Sequence, residues 1–162
     1  MRSMMRNILV SLPLAALVLA QVPASARTPV SAPTGAMAVV QQWLGAFNTG
    51  DKSVFVATCA DQMSIIDEFP PYAWQGARAC RKYWNDFAAH SKKEGLSDAV
   101  VTFGKPSQVE RAADNLYLVG PASLTFSLKG KPMEESGSFL TVTLHKYGHG
   151  WKITGWAWTN PK

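Results

Sequence analysis

The sequence predicts an α+β fold: a cone in which three N-terminal helices pack on one face of a curved antiparallel sheet. Three observations predict it. Apolar residues recur at helical spacing through most of residues 36–95, and they alternate at strand spacing through most of residues 98–159. Between the second and third helical stretches stands one short apolar strand that ends in Asp67.

The globular elements follow a distinct front end. Arg2 and Arg6 precede an apolar run from Ile8 to Ala20, and Ala24-Ser25-Ala26 supplies a small-x-small cleavage pattern. The run is too short and wrongly flanked for a retained span, so residues 1–26 read as a cleavable secretory signal. Residues 27–35 (Arg-Thr-Pro-Val-Ser-Ala-Pro-Thr-Gly) carry no apolar period and read as a flexible linker. The domain is then 36–162, the expected location periplasmic or secreted, and no stable membrane span is expected after cleavage.

Within the domain, Val40, Trp43, Leu44 and Phe47 form one stripe over Ala36–Phe47, and Asn48-Thr49-Gly50 ends that helix. Asp51 is a good N-cap for a short second helix reaching about Ala57. Met63–Asp67 is a strand on which Ile65, Asp67 and Phe69 share a face, while Glu68 looks the other way. Pro70-Pro71 forces an irregular loop. Gly76 opens a third helix, with Cys80, Trp84, Phe87 and Ala88 in line and Tyr83 beside them, ending near Gly95. Strands follow at 98–103, 108–111, 116–128, 134–145 and 151–159. Gly120-Pro121 marks a bulge, Lys129-Gly130-Lys131 and Tyr147-Gly148-His149-Gly150 mark turns, and Gly155 can shift the phase of the last strand.

Asp67 is the candidate catalytic group. A carboxyl held beside Phe69 and Trp74 is poorly hydrated, which raises its pKa and suits a general base. The same carboxylate can equally serve structure, accepting hydrogen bonds from the Pro-Pro loop or a helix N-terminus, or pairing with an Arg. Trp43, Phe69, Tyr72, Trp74, Tyr117, Glu135 and Trp158 are the candidate ligand-binding residues. Tyr72 and Trp74 sit where a loop meets a helix and can be pocket walls or core plugs. Tyr117 needs a partner for its hydroxyl if buried. Glu134 and Glu135 face opposite sides of a strand, so one can look into the cone, or both can be exposed near a sheet end. Trp156 and Trp158 share a face, suited to pocket lining, core packing or a dimer contact. Cys59 and Cys80 can bridge in an oxidising compartment, or remain two small buried apolar groups.

Charge and motif exclude several classes. Without Arg2 and Arg6 the net charge falls from +5 to +3, and the remaining cations are scattered, which argues against nucleic acid. His90, His145 and His149 show no metal-ligand spacing, so no metal is expected. No Gly-x-Ser-x-Gly or phosphate loop occurs, and no cofactor is expected.

The ordered set Gly50-Asp51, Ala60-Asp61, Ile65-Ile66-Asp67, Trp74-Gln75-Gly76 and Gly150-Trp151-Lys152-Ile153…Trp156-Ala157-Trp158 resembles the SnoaL-like branch of the nuclear-transport-factor-2-like superfamily. The resemblance spans 36–159 and implies the same cone and frequent homodimers. The stretch from Val39-Val40-Gln41 through Asn48-Thr49-Gly50-Asp51 to Ile66-Asp67 is also similar to ketosteroid isomerases, which implies a general base at Asp67. Where that family has a donor Tyr, this chain has Trp43; its late donor Asp falls near Leu140. An indole N–H still donates one hydrogen bond, and Leu donates none.

The expected function is thus an exported pocket for a small, largely apolar molecule, turned over, if at all, by cofactor-independent isomerase, cyclase or dehydratase chemistry with Asp67 as base. The alternative is a non-catalytic dimerisation or protein-interaction module of the cell envelope. A void of roughly 300 Å³ or more beside Asp67 favours the first, and a cone plugged by tryptophans the second.

Overall fold

The computed structural model describes residues 31–161. The expected signal, 1–26, and the first residues of the expected linker lie outside the described residues. The element order is α1 (Thr34–Thr49), α2 (Lys52–Thr58), β1 (Cys59–Ile66), β2 (Ala73–Ala77), α3 (Ala79–Glu94), β3 (Leu96–Phe103), β4 (Gln108–Ala112), β5 (Asn115–Leu128), β6 (Lys131–Tyr147) and β7 (Gly150–Thr159).

Local chemistry sets most helix ends. Gly50 caps α1 in the left-handed region at φ 74°, its N–H satisfying carbonyls of the last turn. The Asp51 side chain accepts from Val54 N–H and starts α2. Gly95 closes α3 in the same way as Gly50 closes α1. The stripe on α1 buries Ala36, Val40, Trp43 and Ala46.

The seven strands form one curved, unclosed sheet in the order β2-β1-β7-β6-β5-β3, with β4 also paired to β5. The helices cover one face, where Phe55, Ile65, Leu118, Leu140, Val142 and Ile153 are fully buried. Bending comes in part from bulges: the β5–β6 register shifts between Ala122 and Leu124, just beyond Gly120-Pro121, and the β6–β7 register shifts next to Gly155.

Two features differ from the sequence expectation. The sheet is not wholly antiparallel, because β1 runs parallel to β7. Chain entry through two helices leaves β1 pointing the same way as the last strand, a long-range outcome with no local signal. Residues 73–77 also form a strand, β2, paired with β1 as a hairpin around the Pro-Pro turn. Gly76, at φ 83°, therefore sits in a strand and does not open a helix, and α3 starts at Ala79, after Arg78 in the left-handed region.

Gly155 explains how β1 docks. A Cβ there would lie 2.5 Å from the backbone oxygen of Ser64, its partner on β1, and 3.1 Å from Thr143 Oγ1. That oxygen cannot retreat without parting the strand that carries Asp67. Gly155→Ala should cost about 1–3 kcal/mol, read as a lower urea midpoint at unchanged slope. An unaltered midpoint would refute this account of the contact.

Candidate functional site

Asp67 directly follows β1. Its backbone N–H donates to Tyr72 O at 3.1 Å, closing a tight turn through Pro70-Pro71, whose peptide is cis. The turn aims the carboxyl under α3. There Tyr83 donates its hydroxyl proton to Asp67 Oδ2 at 2.9 Å, and Glu68 N–H donates to Oδ1 at 2.8 Å. Tyr83 is buried, held by T-shaped contacts to Trp74 and Trp156 at 5.0 and 4.9 Å.

Burial governs the charge here. Loss of hydration raises the Asp67 pKa from 3.8 to about 6, against the lowering effect of the Tyr83 and Glu68 hydrogen bonds. The Glu68 carboxylate nearby adds a smaller upward push. Burial first, then the Asp67 charge, pushes the Tyr83 phenol well above its usual value, so Tyr83 stays a donor.

The carboxyl borders a hollow of about 60 Å³ between the helices and the sheet, well below the roughly 300 Å³ expected of a ligand pocket, so size alone favours the interaction-module alternative. Its walls include Trp43, Phe47, Phe87, Val101, Trp156 and Trp158. Aromatic packing has filled most of the cone: Trp43 lies 4.8 Å from Trp156, and Phe55 4.8 Å from Trp84. Two wall residues carry an unmet demand. The indole N–H groups of Trp43 and Trp158 are buried and have no hydrogen-bond partner. An orphaned buried donor costs about 1–3 kcal/mol, which a ligand acceptor would recover.

Of the candidates chosen from sequence, Asp67, Trp43 and Trp158 meet at this hollow. The others stand elsewhere. Phe69 is a core plug beneath the turn, against Trp74, Tyr83 and His90. Trp74 is buried and donates Nε1–H to Asp86 Oδ2 at 2.8 Å, tying β2 to α3. Tyr72 is 57 % exposed on the outer turn. Tyr117 is 37 % exposed; its partner Thr143 alternates with the buried Val142 and Leu144, which places both on the outer face of the sheet. Glu135 pairs with Leu124, a wall residue, yet does not itself line the hollow. Cys59 and Cys80 are bonded to each other. Glu68, expected to face away from Asp67, also borders the hollow, because the chain leaves the strand period at the turn.

Tyr83 was the residue sequence reasoning passed over. Its signal was present: it sits three residues from Cys80 and four from Phe87 on α3, and a buried phenol needs a polar partner. Among the described residues no group of three or more His, Cys, Asp or Glu could hold a metal ion, and no helix is long and apolar enough to cross a membrane.

The raised carboxyl makes stability pH-dependent with a definite sign. Below pH 3.8 Asp67 is protonated both folded and unfolded, and no penalty exists. As pH rises from 3.8 to about 6 the unfolded chain gives up the proton first, so stability falls by about 3 kcal/mol and then levels. Asp67→Asn should remove this slope in urea midpoints. Tyr83→Phe removes a stabilising donor, so the Asp67 titration should move above 6, as read by carboxyl NMR. A titration that stays put would remove Tyr83 from the account.

Three helices over the inner face of a curved mixed sheet, with a carboxyl at the wall of a partly open hollow, make up a nuclear-transport-factor-2-like fold. Residues 36–157 match the model of the SnoaL-like domain family, and the chain belongs to that family. Solved structures share the fold. A nuclear transport factor 2 (NTF2-like) superfamily protein from Salmonella enterica aligns at TM-score 0.64 and 12 % identity, over 77 % of this chain and 87 % of its own. A ketosteroid isomerase-like protein from Erwinia carotovora atroseptica aligns at 0.61 and 17 %, over 79 % and 95 %. The CaMKII hub of S. rosetta aligns at 0.65 and 16 %, over 83 % and 100 %. No curated protein matches this chain.

Proposed function

We propose that this protein binds a small, largely apolar carbonyl compound at the hollow and moves a proton on it, with Asp67 as base and no cofactor. The observation that carries the reading is a carboxyl with its pKa raised to about 6, fixed by Tyr83 at the wall of a cavity that also holds two unpartnered indole N–H groups. Asp67 takes a proton from the carbon next to the carbonyl. The C–H electron pair moves into a C–C double bond, and the carbonyl oxygen becomes an enolate that accepts from an indole N–H. Where a C=C bond adjoins that carbon, the enolate extends over it and return of the proton to the far carbon of that bond completes an isomerisation; on a saturated ketone the proton returns to the same carbon and the turnover is exchange. At about 60 Å³ the hollow admits the reactive end of such a molecule while the rest stays outside it. Export through the signal at 1–26 would place the protein in the periplasm or the medium.

The test is solvent-deuterium incorporation next to the carbonyl of butanone and cyclopentanone, followed by NMR. Exchange above the buffer rate, rising with pH through about 6, is the expected result. Exchange no faster than buffer sinks the base reading.

A second reading, a self-associating module, is favoured by Tyr117 and Phe139, which share the outer sheet face, Phe139 being 44 % exposed. The CaMKII hub named above shares this fold. Sedimentation of the wild type against Phe139→Asp tests this reading; a wild-type monomer rules it out. A dimer formed through that face would leave the hollow on the opposite side untouched.

A further inference from the structure

The hollow beside Asp67 has a neighbour. A groove of about 380 Å³ runs between the end of α1 (Asn48–Gly50), the α3 residues Trp84, Ala88 and Ser91, and the start of β3 (Leu96–Ala99). Phe47 and Phe87 line both spaces. Their ring centroids are 5.1 Å apart and their planes meet at 50°. Only this pair of side chains is common to both linings, so the two rings are the wall between them. The groove leaves open space on one side of that wall.

The Asn48 side chain clamps β3 from α1, its amide donating to Val101 O at 2.9 Å and its carbonyl accepting from Val101 N–H at 2.8 Å. Val101 lines the hollow on one side of this clamp, and Leu96–Ala99 line the groove on the other. At the groove, Ser91 Oγ is buried without a hydrogen-bond partner. The hollow alone is smaller than a ligand pocket, whereas the two spaces joined reach ligand size.

We infer that the hollow and the groove are two halves of one elongated site, separated by a Phe47–Phe87 partition that swings aside for the ligand. The inference rests on the proposed carbonyl-binding function and names its substrate class. That class is an extended, mainly apolar molecule with a carbonyl at the Asp67 end, an alkyl or ring shaft past the two phenyl groups, and a polar group able to meet Ser91. Phe47 and Phe87 then set which shaft lengths and widths are accepted.

Straight-chain methyl ketones of four to ten carbons test it, by tryptophan-fluorescence titration of the whole protein. In the wild type each methylene beyond the hollow should strengthen binding roughly three- to fourfold. Ala88 is exposed in the groove, so Ala88→Trp can fill that space without disturbing the core. It should abolish the gain for long ketones and leave the short ones as they were. Phe87→Ala should favour the long ketones further. Affinity that stops rising at five or six carbons, or a length dependence unchanged by Ala88→Trp, overturns the partition while short-ketone binding keeps the base site. Groove-dependent binding of long ketones that promote no Asp67-dependent exchange overturns the base reading and keeps the joined site. If no ketone of any length binds, both fall.

Discussion

Asp67→Asn is expected to lower proton exchange on small ketones by about a hundred- to ten-thousandfold, the range lost when a positioned general base is removed. The amide has the size and shape of the carboxyl; its oxygen can still accept from Glu68 N–H while its NH2 donates to the Tyr83 hydroxyl, which can also accept, so the turn after β1 should persist. What the amide lacks is basicity. The same substitution should make the protein more stable near neutral pH, because a poorly hydrated charge is removed. Loss of turnover together with a higher melting temperature separates this mechanism from simple unfolding, which would lower both. A variant that keeps wild-type exchange would assign Asp67 to structure alone.

The pH profile gives a second readout of the same group. Turnover needs the carboxylate, so it should climb as pH passes about 6, while stability falls across 3.8 to about 6. The two curves run in opposite directions because one penalty underlies both: the fold holds a carboxyl where its charge is poorly hydrated. Stability given up at a site that needs a base near neutral pH is a common feature of such sites.

How much of this was legible beforehand follows from the range of the interactions. Apolar period and capping residues are local, so α1, α2, the end of α3 and the long strands β5 to β7 could be read from sequence. The parallel pairing of β1 with β7 joins residues about ninety positions apart, as in Ser64 with Gly155, and nothing in either segment announces it. For β2, Gly76 was read as a helix start, yet Trp74 is buried against β1 and α3, and tertiary packing won. In the site, Asp67 was legible because an acid at the end of an apolar strand is unusual. The filling of the cone was not, since whether Trp43, Phe55 and Trp156 leave space or close it depends on rotamers that meet only after folding. Tyr72 and Trp74, close to Asp67 in sequence, turned outward and sideways. The hairpin fixed their direction, and sequence proximity did not.

Breaking the Cys59–Cys80 bridge should cost about 3 kcal/mol, the loop-closure value for a separation of 21 residues. Its position makes the consequence more specific than a loss of stability. Cys59 is the C-cap of α2 and the first residue of β1, whose far end leads to Asp67; Cys80 is in the first turn of α3, three residues before Tyr83. The bridge therefore ties together the two elements that supply the carboxyl and its donor. Cys80→Ser, or full reduction, should lower the melting temperature and also loosen the Tyr83–Asp67 hydrogen bond. Losing a donor that favours the charged form moves the Asp67 titration upward from about 6. Carboxyl NMR on oxidised and reduced protein checks this. An unchanged titration with a lower melting temperature would confine the bridge to stability, whereas a joint shift would make an oxidising compartment a condition for the acid–base group to be correctly set.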